Sequence, residues 1–191
     1  MRTTFCALLI AALLLPAASA SAAGQGPTIV TDRFSVEFLG DFDARSGPSK
    51  RPTIAKAVRA FGKPSNSFRT SNSSCAVKWK RLGLRILFVN LGAPGKPPCG
   101  ERVGSAQSFT IHEAPVWRTW RGLQIGMPES QVEALHPAAR FVRHNRFYPD
   151  GWWLRTARGP FGDGTKYPVV EARVRDGVVV AFDGWIGSAG E

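Results

Sequence analysis

Alternating apolar and polar positions predict short β-strands in the first half of the chain. In residues 31–39, the apolar side chains of Phe34, Val36 and Phe38 alternate with polar ones, which is typical of a half-buried strand. Shorter runs with similar alternation predict three further strands, at residues 75–80, 84–91 and 107–112. The Ser- and Asn-rich residues 65–74 are predicted to form a loop.

One short helix is predicted in each half of the chain. The first begins after Thr53, whose hydroxyl is a favourable N-cap. Its apolar residues recur at the helical spacing i, i+3, i+4, i+7: Ile54, Ala57, Val58 and Phe61. In the second helix, Pro128 occupies the first turn, and His136 ends the helix, where a partly charged imidazole would favour the dipole.

Strands are predicted to follow the second helix, at residues 152–157, 167–175 and 178–185. Asp176 and Gly177 separate the last two runs, and an Asp-Gly pair between alternating segments is a strong signal for a β-hairpin. In residues 152–157 we expect Trp153 to face the core. Trp152 then points to the opposite face of the sheet, because side chains alternate along a strand.

The order of elements suggests an internal duplication. An offset of 74 residues between the halves places Trp79 on Trp153 and repeats the order of a helix followed by strands. We therefore expect an α+β fold of two similar units, each a short helical segment packed on an antiparallel β-sheet. The first unit is predicted to span residues 24–113 and the second residues 114–191.

Residues 1–23 have the three parts of a secretory signal peptide. Arg2 supplies the positive charge, residues 5–15 form the apolar segment, and small residues follow up to Ala23. We expect this segment to be removed, which leaves no transmembrane segment. The mature protein is therefore predicted to be secreted, periplasmic or located in the cell envelope.

Signal cleavage would leave two of the three cysteines, Cys75 and Cys99. A single pair in an oxidising compartment predicts a disulfide, which would close a loop of 23 residues. The alternative, a catalytic cysteine, would require a thiol that stays reduced outside the cell.

The middle of the chain resembles a known structural signature. Residues 122–127 (Gly-Leu-Gln-Ile-Gly-Met), followed by Val132 and Leu135, are similar to the strand-to-helix motif of the superfamily of outer-membrane assembly lipoproteins and β-lactamase inhibitory proteins. Residues 117–119 and 185–187 also resemble segments of uncharacterised secreted bacterial proteins. The resemblance implies helical segments against an antiparallel sheet, with the unit duplicated in tandem. The inhibitors carry a disulfide in each half, whereas the second half here has no cysteine. The motif is structural, so no inhibitory residue can be transferred.

The chain is strongly basic, with 25 Lys and Arg against 14 Asp and Glu and a net charge of +11. Positive residues are concentrated in residues 78–85 and 140–146. Outside a cell, such a surface suits an anionic envelope component or an acidic protein. No nucleic-acid fold signature accompanies the charge. A solvated basic surface without a specific ligand is the alternative, and the oligomeric state stays open.

The sequence contains no common catalytic, metal-binding or cofactor-binding motif. Gly-x-Ser-x-Gly is absent, and the three histidines lack a common zinc spacing. His112 and Glu113 could pair as a base and its orienting group, but adjacent strand residues point to opposite faces. An unrecognised carboxylate pair, such as Asp150 and Asp163, would be needed for a secreted hydrolase.

The sequence thus favours non-catalytic binding, by an exported, inhibitor-like protein that engages a protein or an anionic envelope component through a sheet face. Aromatic and arginine side chains are enriched at binding hot spots. The candidate surface combines such residues from the middle of the chain and from the last strands: Trp117, Arg118, Trp120, Arg121, Trp152, Arg155, Arg173 and Arg175. Packing of Trp117 and Trp120 at the junction between the halves is an equally good interpretation. The alternatives are a hydrolase and a structural envelope protein without a specific ligand.

Overall fold

A computed structural model of the chain describes residues 28–29, 53–90, 99–100, 104–113, 117–143, 150–158 and 166–185. Within these ranges lie two α-helices, α1 (Ile54–Phe61) and α2 (Ser130–Leu135), and a 3-10 helix at Lys80–Leu82. The strands of the same ranges are β1 (Thr28–Ile29), β2 (Asn66–Arg69), β3 (Ser74–Trp79), β4 (Leu84–Val89), β5 (Ser105–His112), β6 (Arg118–Thr119), β7 (Arg140–Val142), β8 (Gly151–Arg158), β9 (Lys166–Arg175) and β10 (Val178–Trp185). In the described residues, no helix is both long and apolar enough to cross a membrane.

Eight of these strands form one antiparallel sheet in the order β2-β3-β4-β5-β10-β9-β8-β7. Consecutive strands are neighbours within β2–β5 and within β7–β10, so each half of the chain contributes a four-stranded meander. The meanders meet where β5 pairs with β10, from His112 opposite Ala181 to Ser108 opposite Trp185. The short strands β1 and β6 form a separate parallel pair.

The predicted α+β fold of two helix-on-sheet units is wrong. The described structure is mainly one continuous β-sheet, with eight helical residues in α1 and six in α2. The physical reason is the pairing of β5 with β10, which satisfies the backbone groups along the inner edges of both meanders. The duplication and the domain boundaries stay predictions.

Local signals in the sequence located several elements correctly. The Thr53 hydroxyl accepts a hydrogen bond from the Lys56 amide at 3.4 Å, as expected of an N-cap. Asp176 (φ 52°) and Gly177 (φ 72°) are both left-handed, which is the requirement of the tight turn between β9 and β10. The strand predicted at residues 31–39 lies outside the described residues.

Both helices pack on the same face of the sheet, called here the helix face. One row of this face crosses six strands: Trp79, Leu84, Ile111, Phe182, Ala172 and Trp152. From α1, the ring of Phe61 lies 5.2 Å from that of Trp79. Beside α2, Glu129 accepts a hydrogen bond from the indole of Trp152. The main hydrophobic core therefore lies between the helices and this face.

The predicted disulfide is confirmed. Cys75 in β3 is bonded to Cys99, and the two Cα atoms are 5.2 Å apart. Cys75 is fully buried, so the bond ties the residues before β5 to the interior of the sheet.

Candidate functional site

The opposite face of the sheet, called here the polar face, carries one row of mostly charged and polar residues across all eight strands. The row consists of Asn66, Lys78, Arg85, Thr110, Asp183, Glu171, Trp153 and Arg140. Its basic members, Lys78, Arg85 and Arg140, lie towards the two ends, and its acidic members, Asp183 and Glu171, lie near the centre. The alternation of each strand dictates this arrangement, because residues two apart share a face.

Lys78 and Arg85 lie directly opposite each other on β3 and β4. Both reach over the ring of Phe68 on the neighbouring edge strand β2. The Lys78 ammonium is 5.2 Å from the ring centroid, and the Arg85 guanidinium is 5.9 Å from it. Like charges in direct cross-strand register repel each other, and the ring face offers partial compensation through its negative quadrupole.

A first groove, of about 480 Å³, borders this cation pair. We call Lys78, Lys80 and Arg85, which all line it, the basic cluster. His112 and Glu113, at the end of β5, line the same groove. Three cationic side chains against one carboxylate give this groove a positive potential.

A second groove, of about 600 Å³, lies on the other side of His112 and Glu113. Arg173 and Arg175 of β9 line it together with Asp150. Because His112 and Glu113 line both grooves, they separate the basic cluster from the arginines of β9. In the second groove the two arginines are balanced by Glu113 and Asp150.

The expectation that His112 and Glu113 point to opposite faces is wrong. The Nδ1 atom of His112 lies 3.7 Å from Oε2 of Glu113. Strand β5 ends at His112, and Glu113 turns the chain with a φ of 56°. Strand alternation therefore no longer applies to this pair, although both side chains remain exposed.

Glu171 occupies the centre of the polar row and is only 3% exposed. The pKa of its carboxyl is raised to about 7, chiefly by burial and also by the Asp183 carboxylate, while the charge of Arg173 opposes the shift. Arg173 forms an ion pair with Asp183, to which its Nη2 donates a hydrogen bond of 3.1 Å. Within the described part of the chain, Oε1 of Glu171 has no hydrogen-bond partner.

The predicted orientations of Trp152 and Trp153 are reversed. Trp152 pairs with Ala172 on the helix face and donates a hydrogen bond of 2.7 Å to Glu129. Trp153 pairs with Glu171 on the polar face. The small side chain of Ala172 leaves space for Trp152, and Glu129 beside α2 accepts the hydrogen bond of its indole N–H. Trp152 therefore cannot form a platform beside Arg173.

The middle segment of the predicted surface is partly buried. Trp117 is 0% exposed and donates a hydrogen bond of 2.6 Å to the carbonyl oxygen of Leu82, so its packing role is correct. Trp120 lies edge-on to His136, with the ring centroids 4.7 Å apart. Arg118 belongs to β6, and exposed Arg121 donates to the carbonyl oxygen of Leu135 at 3.3 Å.

The predicted charged imidazole at the end of α2 is contradicted. The pKa of His136 is lowered to about 4, chiefly by burial and also by the charge of Arg121. Nε2 of His136 lies 2.8 Å from the Thr119 hydroxyl, whose oxygen also accepts the Leu123 amide.

The remaining predicted site residues do not form one surface. Arg173 and Arg175 both line the second groove. Arg155 instead pairs with Val170, because an irregularity between Trp153 and Arg155 breaks the strict alternation of β8. Of the carboxylate pair considered for a hydrolase, Asp150 lines the second groove, whereas Asp163 lies outside the described residues.

Sequence patterns could have identified part of this site. The sequence has a basic concentration at residues 78–85, and alternation along β3 puts Lys78 on the face opposite Val77 and Trp79. Phe68 was missed because residues 65–74 lack the composition of a strand, yet Asn66–Arg69 form the edge strand β2. Nothing local indicated that Glu171 would be buried.

In the part of the chain that the structure describes, no group of three or more His, Cys, Asp or Glu side chains is arranged to hold a metal ion. Comparison with protein-family models, curated proteins and solved structures finds no match to this chain.

Proposed function

We propose that this is an exported binding protein that holds an anionic partner on the polar face of its sheet. The observation that carries the proposal is the facing pair Lys78 and Arg85, stacked over Phe68 at the border of the first groove. An anion placed between the two cations would relieve their mutual repulsion, which the ring compensates only in part.

The types of side chain in the basic cluster suit carboxylate or phosphate groups. The guanidinium of Arg85 can donate two parallel hydrogen bonds to such a group, while Lys78 and Lys80 act as point charges. Lys78 is exposed and Arg85 is half-buried, so both can reach an incoming ligand. A half-buried arginine is also less screened by salt than a fully exposed charge.

Two features support export. The first 23 residues have the composition of a signal peptide. The Cys75–Cys99 disulfide is of the kind that persists in oxidising compartments. Together they favour a partner in the cell envelope or outside the cell.

The test compares two charge reversals that leave the net charge of the chain equal. The double variant Lys78→Glu/Arg85→Glu removes the cation pair from the polar face. The control Lys56→Glu/Arg59→Glu changes two exposed residues of α1, which packs on the helix face. Retention of each variant on a phosphate-bearing matrix is measured with a salt gradient.

We expect the polar-face variant to elute at clearly lower salt than the α1 control. Equal elution of the two variants would mean that only the net charge of the chain matters, and the proposal would fail. Circular dichroism and urea unfolding of both variants show that each is folded.

A further inference from the structure

Building on the proposed function, we infer that the group held by the basic cluster is a phosphate monoester with two negative charges, carried by a small soluble molecule. Three properties of the first groove lead to this class of ligand: its charge balance, its hydrogen-bond donors and the apolar residues behind them.

The first groove has an excess of two positive charges. Lys78, Lys80 and Arg85 line it, and Glu113 is the one carboxylate among the described residues that do so. His112 adds a further positive charge only when its imidazole is protonated. Lys78 and Arg85 face each other across neighbouring strands, so both side chains can reach the same group. A dianion neutralises the excess, whereas a carboxylate or a phosphate diester, each with a single charge, leaves part of the repulsion in place.

The groove is also rich in hydrogen-bond donors. Besides the basic cluster, Ser65 and Asn66 line it. The hydroxyl oxygen of Ser65 accepts a hydrogen bond of 2.9 Å from the Lys80 amide, so the hydroxyl proton can be donated to a ligand in the groove. A dianionic phosphate monoester presents three terminal oxygens that accept hydrogen bonds. It therefore uses more of these donors than a carboxylate, which has two oxygens.

Apolar side chains lie behind the donors. Trp79 and Leu84 pair at the end of β3 and β4, line the groove and are each 2% exposed. Charges beside such low-dielectric walls act on a ligand more strongly than charges on an open surface. Because Coulomb attraction grows with the product of the two charges, a dianion gains more from this environment than a monoanion does.

The size and surroundings of the groove favour a soluble ligand over a lipid in a membrane. Its volume of about 480 Å³ is typical of a pocket for a small molecule. Docking on a bilayer would bury apolar side chains among the lipid headgroups. Among the described residues, the exposed large apolar side chain is Phe141, which lies in β7, at the opposite edge of the sheet from β2.

The test compares small anions by isothermal titration calorimetry on the intact protein at constant ionic strength. Methyl phosphate is the dianionic monoester at about pH 7.5, since its second proton dissociates near pH 6. Methyl sulfate has a similar shape and three terminal oxygens but a single charge. Dimethyl phosphate is the diester with a single charge, and inorganic sulfate remains a dianion throughout.

We expect methyl phosphate to bind at least about tenfold more tightly than methyl sulfate or dimethyl phosphate at about pH 7.5. Relative to inorganic sulfate, its affinity should fall several-fold at about pH 5, where most of it is a monoanion. Inorganic sulfate keeps its charge, so it corrects for protonation of His112 and Glu113, which share the groove with the basic cluster.

Three variants assign the effect to the groove. Lys80→Gln should reduce the preference for methyl phosphate over methyl sulfate several-fold, because it removes one of the two excess charges. Glu113→Gln should strengthen binding of every anion, because it removes a repulsive carboxylate. The control Lys56→Gln/Arg59→Gln lowers the net charge of the chain through exposed residues of α1 and should leave the preference unchanged.

The outcomes separate the two proposals. Equal binding of methyl phosphate and the two monoanions, or no loss relative to inorganic sulfate at low pH, overturns the dianion inference while leaving an anion site on the polar face. Binding to vesicles that contain phosphatidic acid, without competition by methyl phosphate, overturns the soluble ligand. Absence of binding by every anion overturns the whole inference. If the charge reversals of the matrix experiment also elute together, the proposed function fails with it.

Discussion

The indole nitrogen of Trp152 donates a hydrogen bond of 2.7 Å to Oε1 of Glu129. This contact ties β8 to the residue that precedes α2. It also explains why Trp152, and not Trp153, faces the helices, since a partly buried indole N–H requires an acceptor.

We predict that this hydrogen bond stabilises the fold measurably. A double-mutant cycle with Trp152→Phe and Glu129→Ala should give a coupling energy of about 1–2 kcal/mol, because the bond involves a carboxylate. Urea unfolding of the two single variants, the double variant and the wild type provides the four free energies. Additive effects would show that the contact contributes nothing.

Two buried titratable residues should give opposite pH dependences of stability. The pKa of His136 falls from 6.5 to about 4 on folding, so the unfolded chain binds the extra proton below pH 6.5. Stability from this residue is therefore lost as the pH falls from 6.5 towards 4. The pKa of Glu171 rises from 4.5 to about 7, so its contribution is complete below pH 4.5 and is lost as the pH rises through 7.

For Glu171→Gln we predict an unfolding free energy that increases with pH between 4.5 and 6.5 more steeply than that of the wild type. The variant lacks the carboxyl whose pH dependence opposes that of His136. The titration of His136 then raises the unfolding free energy by at most about 1.4 kcal/mol per pH unit. Denaturant unfolding across this range measures the slope. A slope unchanged from the wild type would mean that the Glu171 pKa is not raised.

The complementary variant His136→Gln should show the reverse slope. Its unfolding free energy should fall as the pH rises from 4.5 to 7, because only the Glu171 contribution remains. The comparison with the wild type at each pH controls for the loss of the Thr119 hydrogen bond, which lowers stability at every pH. A rising slope in this variant would contradict the assignment.

Loss of the disulfide should lower the free energy of unfolding by about 3–4 kcal/mol, as expected for a loop of this length. The double variant Cys75→Ala/Cys99→Ala and the reduced wild type should unfold at similar urea concentrations. Oxidised wild type is the reference. A midpoint that does not respond to reductant would show that the crosslink leaves the unfolded chain unconstrained.

Gly184 lies where β10 passes the ring of Phe109. A Cβ atom there would overlap that ring and stand 2.8 Å from the carbonyl oxygen of Val169. Gly184→Ala should therefore cost about 1–3 kcal/mol. Phe109→Leu should cost less in the Gly184→Ala background than in the wild type, because it relieves the overlap. Equal costs in both backgrounds would contradict this explanation.

Features specified by a few neighbouring residues could be predicted from the sequence. The Asp176–Gly177 turn, the Thr53 cap and the helical spacing of α1 each depend on contacts within about four positions. The cysteine pair is similar, because the two cysteines that follow the predicted signal peptide can form only one intramolecular bond with each other.

Features that depend on distant strands could not be predicted in this way. Two adjacent tryptophans fit either face of β8, and the choice follows from Ala172 and Glu129, which lie far away in sequence. The burial and raised pKa of Glu171 likewise arise from β10 and from Asp183 opposite. No local pattern indicated that β5 would pair with β10.

The junction of β5 and β10 also has a kinetic consequence. Hairpins within each meander close short loops, whereas the paired residues of β5 and β10 are about 70 positions apart. Closing so long a loop costs entropy before the contacts form, so this pairing should be the slow step of folding. Each half can form its hairpins first, and the inner edge strands β5 and β10 then remain unpaired until the two meanders meet. Because an unpaired edge can accept a strand from another molecule, the refolding yield should fall with rising protein concentration.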